Sequence, residues 1–137
     1  MNFAGNIQQV RVDLAELLNE VTPDGWLAGT ATRPDIYTGL IHVGHPTEIR
    51  PDTMSTFGCA LPITLWADET GDTVNIETFY ALLSPIDGSL LRWLRSKGCP
   101  ITEYEIGEIG PREEGPSTFL AVTINARFQV ASVHTPS

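Results

Sequence analysis

Between Thr118 and Ala131 the chain reads TFLAVTINARFQVA, an alternation that never breaks. Leu120, Val122, Ile124, Ala126, Phe128 and Val130 share one parity, and Ala121, Thr123, Asn125, Arg127 and Gln129 share the other. Successive side chains of a strand point to opposite faces, so this spacing predicts one long strand with an apolar face and a polar face. A slip of one residue would turn every aliphatic side chain outward. Each of them contributes about 1.5–3 kcal/mol when fully buried, so the register is strongly fixed. The fold has to give this strand a core on one side and water or a partner on the other.

A second stretch, FGCALPITLWAD from Phe57 to Asp68, follows the same rule. Leu61, Ile63, Leu65 and Ala67 lie on one side, and Pro62, Thr64, Trp66 and Asp68 on the other. Trp66 falls on the polar side, where a large aromatic reads either as an interface residue or as one covered by a local loop or helix end. Leu40 to Val43 is a short apolar run that predicts a strand, entered through Arg33-Pro34-Asp35-Ile36-Tyr37. The proline-bearing segment Gly44 to Asp52 reads as irregular, because proline cannot donate to a ladder. ITEYEIGEI, Ile101 to Ile109, predicts a strand that pairs with the long one, with Gly110 to Ser117 as the loop at the tip of the hairpin.

Helical periodicity appears twice. Ile7, Val10, Leu14, Leu17, Leu18 and Val21 recur at three- and four-residue steps, predicting an amphipathic helix over about 6–20 that Thr22-Pro23-Asp24-Gly25 ends. After a turn at Glu69-Thr70-Gly71-Asp72, Val74 to Leu83 predicts a helix broken at Pro85. Ser84 then restarts it as N-cap, with Pro85 at N1, Asp87 at N3 and Gly98 just past the end. The expected fold is α+β: a mostly antiparallel four-stranded sheet packed on one face by the N-terminal helix and the broken central helix. With 137 residues the chain is expected to form one domain, 1–137, with a short polar C-terminal tail.

Charge narrows the function. A net charge of -9 and only 8 basic residues do not suit a nucleic-acid binder, which needs clustered Lys and Arg to release counterions. No apolar run has membrane-spanning length, and the N-terminus lacks the basic and apolar regions of a signal peptide. Cys59 and Cys99 are too few for a disulfide framework and read as free thiols.

Catalytic signatures are weak. His42, His45 and Glu48 form the one set with metal-binding side chains, but their spacing matches no strong zinc motif. No GxSxG surrounds a serine, and no glycine loop runs into a helix as a phosphate cradle. The carboxylate pairs Asp68-Glu69 and Glu113-Glu114 sit in polar turns without a pocket to separate their pKa values. The sequence therefore predicts no enzyme, no metal and no cofactor.

In element order, from the leading helix and the Arg33–Tyr37 entry through Leu61–Asp68, the broken helix Phe79–Leu91 and the closing Glu-rich hairpin, the chain resembles the tail terminator proteins of long-tailed bacteriophages. The resemblance spans nearly the whole length. It implies a virion protein, made in the host cytoplasm, that forms a ring of identical subunits, usually six. Such a ring caps the tail tube, ends tube polymerisation and offers the surface for head-tail joining. Implied partners are the tail tube protein and a head-tail connector or stopper, with genomic DNA passing through the lumen without specific binding and no membrane contact. Contacts between subunits are then expected at Trp66, Thr123, Asn125, Arg127 and Gln129. Axial contacts are expected at the loops carrying Arg50 and Pro111, Arg112, Glu113 and Glu114. Other neck proteins share small α+β forms and are an alternative. A host-modulating phage adaptor, or a small ligand-binding or metal-dependent enzyme with a pocket between helix and sheet, is another.

Overall fold

The computed structural model of the chain describes residues 3–22, 26–30, 39–53, 55–68, 73–86, 88–114 and 117–131. In chain order these form β1 (Phe3–Ala4), α1 (Ile7–Asn19), β2 (Trp26–Gly29), β3 (Gly39–Val43), β4 (Glu48–Pro51), β5 (Thr56–Asp68), α2 (Thr73–Leu82), α3 (Leu90–Leu94), β6 (Ile101–Ile106), β7 (Gly110–Glu114) and β8 (Ser117–Ala131). The expected entry at 33–37, the turns at 23–25 and 69–72, Asp87 and the tail beyond residue 131 lie outside the described residues.

The two strands with the clearest alternation form the spine. Every residue of β5 pairs with β8 in an antiparallel register running from Thr56↔Ala131 to Asp68↔Phe119. On the far side of β5 lie β3, opposite 63–67, and β4, opposite 57–60. On the far side of β8 lie β7, β6 and β1 in succession. β2 continues the sheet beyond β3.

The expected four-stranded antiparallel sheet with helices packed on one face is therefore wrong. The sheet is mixed and curled, has eight strands, and takes up 49% of the chain against 24% for helix. β1 pairs with β8, and β2 with β3, in parallel. The additional strands are short, and two contain proline, so they show no alternation long enough to read. Pro51 ends β4 and Pro111 lies in β7, each on a strand with a single neighbour, where a missing N–H costs no ladder bond. The segment read as irregular after β3 is laid along β5, with Gly44 and Thr47 donating to the Pro62 and Ala60 carbonyls at 2.8 Å each. The Gly110–Ser117 stretch read as a loop is mostly β7, and β6 stops at Ile106 rather than Ile109.

One face of the spine is the main core. Leu61, Ile63 and Leu65 of β5 and Val122, Ile124, Ala126 and Phe128 of β8 are at most 1% exposed, and they join Val10, Leu14 and Leu18 of α1 in one cluster. α1 begins where expected, with the Asn6 side chain accepting the Gln9 N–H at 2.9 Å. The second helix breaks differently from the expected restart. The Ser84 hydroxyl donates back to the Tyr80 carbonyl at 2.6 Å, and Ser89, not Ser84, caps α3 by accepting the Arg92 N–H at 3.1 Å. In strand pairing, Gly39 lies opposite Trp26, and any Cβ there would collide with the Trp26 indole.

Two polar side chains from α1 tie the helix to the sheet. Asn19 accepts from the Ala28 N–H at 2.8 Å and donates to the Ala28 carbonyl at 3.0 Å, so its amide takes the place of a further strand beside β2. Arg11, which the helical pattern places among polar positions, is 4% exposed. Its Nε donates to the Gly44 carbonyl at 2.8 Å and its Nη2 to the carbonyls of Val43 at 2.9 Å and Thr30 at 3.2 Å. Nη1 donates to Gln8 Oε1 at 2.8 Å. All four acceptors are neutral oxygens, and the guanidinium gathers the end of β3 and the segment after β2 onto the helix. Arg11→Met keeps the aliphatic stem and removes the donors, leaving backbone carbonyls without partners. We expect it to lower stability by roughly 3 kcal/mol or more, read as a drop in the midpoint of urea unfolding at unchanged m-value.

Candidate functional site

The second face of the β5–β8 spine carries the residues of the polar parity, and its character changes along its length. At the β7 end it is a small second core. Leu40, Trp66, Phe119 and Ala121 form a buried cluster, with the Trp66 and Phe119 rings edge-to-face at 6.1 Å. The Arg112 guanidinium lies 5.5 Å from the Trp66 ring centre and reaches the Thr123 hydroxyl at 3.4 Å, and Thr123 in turn hydrogen-bonds Thr64 at 3.1 Å. Trp66 is 6% exposed, so the expectation of an outward-facing interface tryptophan is corrected. Strand alternation put it on the outer side, and Phe119 of the neighbouring strand and Arg112 cover it there. Its indole N–H is buried without a hydrogen-bond partner among the described residues.

Towards the β4 end the same face is wet. Asn125, Arg127 and Gln129 are exposed, and β4 and β6 stand on either side of them. The floor is made shallow in side chain by Gly58 and Ala60 of β5, which leaves a trough of about 260 Å³ continuing into a second hollow of about 290 Å³ toward Glu105 and Asn125. Arg127 Nη1 pairs with Glu48 at 3.2 Å and Gln129 donates to Asp52 at 3.1 Å. Arg50 lies 3.9 Å from Glu48 and 4.0 Å from Asp52. These side chains are substantially exposed, so the pairs orient one another and add little to stability.

Of the residues expected to make contacts, Arg50, Asn125, Arg127 and Gln129 meet in this trough, while Trp66, Thr123 and Arg112 form the covered end of the same face. Pro111 and Glu113 are exposed on β7, but strand alternation turns them away from Arg112 and the trough. Glu114 closes β7 beside Ser117, and its side chain lies outside the described residues. Sequence reasoning missed Glu103 and Glu105, which pair across Arg127 and Asn125 and so face the trough. Their signal was the alternation of ITEYEI. Nothing local marked it as the strand beside Arg127.

His42, His45 and Glu48 do not assemble. Glu48 is taken up by the two arginines, and His42 Nε2 sits 3.2 Å from the Thr30 carbonyl. Among the described residues no three His, Cys, Asp or Glu side chains stand close enough to hold a metal ion. Cys59 and Cys99 are free, and burial pushes both thiols up from their ordinary pKa. No described helix is long and apolar enough to cross a membrane. In comparison with known proteins, no family model matches the chain and no curated protein matches it.

Burial holds His42 below its ordinary value of 6.5; the Thr30 carbonyl opposes the shift, and the nearby positive Arg11 and His45 add to it. The folded state then takes up its proton less readily than the unfolded chain. Stability is full above about pH 6.5 and is lost as pH falls from there through the folded pKa. His42→Gln should flatten this part of the stability–pH curve between pH 7 and 5, as read by urea unfolding at each pH.

Proposed function

We propose that this chain is a structural subunit of a bacteriophage neck, in particular a tail terminator that forms a ring of identical copies, six by family resemblance, on the end of the tail tube. The observation that carries this reading is the trough on the outer face of the spine: a shaped, polar, exposed surface bordered by the single-neighbour strands β4 and β6. Charges that are solvated, some of them paired with one another and some not, suit recognition of a protein surface.

A ring is built from head-to-tail contacts between two different patches of one subunit, and a polar face can take part without leaving a greasy monomer. In this reading the partners are neighbouring copies, the tail tube protein below and a connector or stopper above. The net charge of -9, with only 8 basic residues, then gives passing DNA a wall that holds it weakly, since few cations are there to release its counterions. The place of action is the virion, after assembly in the host cytoplasm.

Mass measurement and negative-stain imaging of the purified chain test the proposal. The expected result is a closed ring that, added to polymerising tail tube protein, stops elongation. A chain that stays monomeric at tens of micromolar and leaves tube length unchanged would overturn it.

A further inference from the structure

The eight cations of this chain are distributed unevenly. Arg11 is buried on backbone carbonyls, Arg112 lies on Trp66, and Arg50 and Arg127 are held within the trough. Arg33 falls outside the described residues. Of the remaining three, Arg92 on α3 is engaged in an interaction of its own, and Arg95 and Lys97 are exposed just past the end of that helix. Arg95 Nε donates to the Tyr104 hydroxyl at 3.0 Å, a neutral partner, which holds the turn in place without cancelling its charge. Lys97 has no partner among the described residues.

The trough has the opposite imbalance. Glu48, Asp52, Glu103 and Glu105 face only Arg50 and Arg127, and both arginines are turned to the carboxylates of β4 and its end. Glu103 and Glu105 have no ion-pair partner among the described residues. Two copies of a chain with a net charge of -9 repel, so association has to bring unlike patches together. The end of α3 carries exposed cations, with no carboxylate paired to Arg95 or Lys97 among the described residues, and the trough is an exposed face with unpaired carboxylates beside a hollow.

We infer that the α3 end of one copy, with Arg95 and Lys97 leading, docks in the trough of a second copy against Glu103 and Glu105. This deepens the ring proposal and rests on it, since it names the two unlike patches a head-to-tail contact needs. The contact is ionic and partly solvated, so added salt weakens it.

The test uses the full chain in charge-reversed forms, K97E and E103K, each first shown to be folded by its melting curve. Sedimentation velocity at low salt should show each variant alone associating about tenfold or more weakly than the parent, as expected when like charges face each other in a contact. Because the contact is made between copies, a one-to-one mixture of K97E and E103K restores attraction at both of its interfaces. Association in the mixture should return, and 0.5 M NaCl should weaken it. If either variant assembles as the parent does, or if the mixture stays apart, this contact is wrong while the ring proposal stands. If the parent chain itself never associates, both fall.

Discussion

The antiparallel pairing of β5 with β8 sets the position of everything else in this molecule. All of β5 is in register with β8, and five of the other six strands attach directly to one or the other. The pairing joins segments with α2, α3, β6 and β7 between them in sequence, so it is long-range and has to be established against loop-closure entropy. The aliphatic parity of both strands provides that drive. In this register Leu61, Ile63 and Leu65 face Ala126, Ile124 and Val122, and a shift by one residue would expose them all.

Once the spine is fixed, its second face acquires two properties from what flanks it. Where β7 lies beside β8, Arg112 reaches over Trp66, and the aromatic pair with Phe119 becomes a second small core. Where β4 and β6 flank the spine, Gly58 and Ala60 leave room, and the longer polar side chains of β4, β6 and β8 surround a hollow. One face is thus sealed at one end and open at the other. The buried Arg11 does the corresponding work on the helix side, using a charge to satisfy carbonyls that no strand reaches.

The parts that could be read from the sequence are those with a sustained period. The 6–20 helix matched α1 closely, and both long alternations became β5 and β8 with the expected parity. The pairing of ITEYEI with the last strand also followed. The short strands β1, β2, β4 and β7 could not be read, because two to five residues carry no period, and for β1 the partner strand also lies at the other end of the chain. For the same reason Arg50 could be placed near the other candidates only once β4 was known to lie along β5. Ser89 rather than Ser84 caps α3, and the Ser84 hydroxyl instead donates to the Tyr80 carbonyl at the end of α2.

By itself the sequence determined which side of each long strand is apolar, since strand geometry converts parity into face without help from the rest of the chain. It also set the acidic balance, a net charge of -9. Tertiary structure alone decided which polar-side residues stay wet: Trp66 and Asn125 occupy equivalent parities, yet one is covered and the other open. That difference comes from the neighbour across the ladder, and strand order is a long-range property that no local stretch encodes.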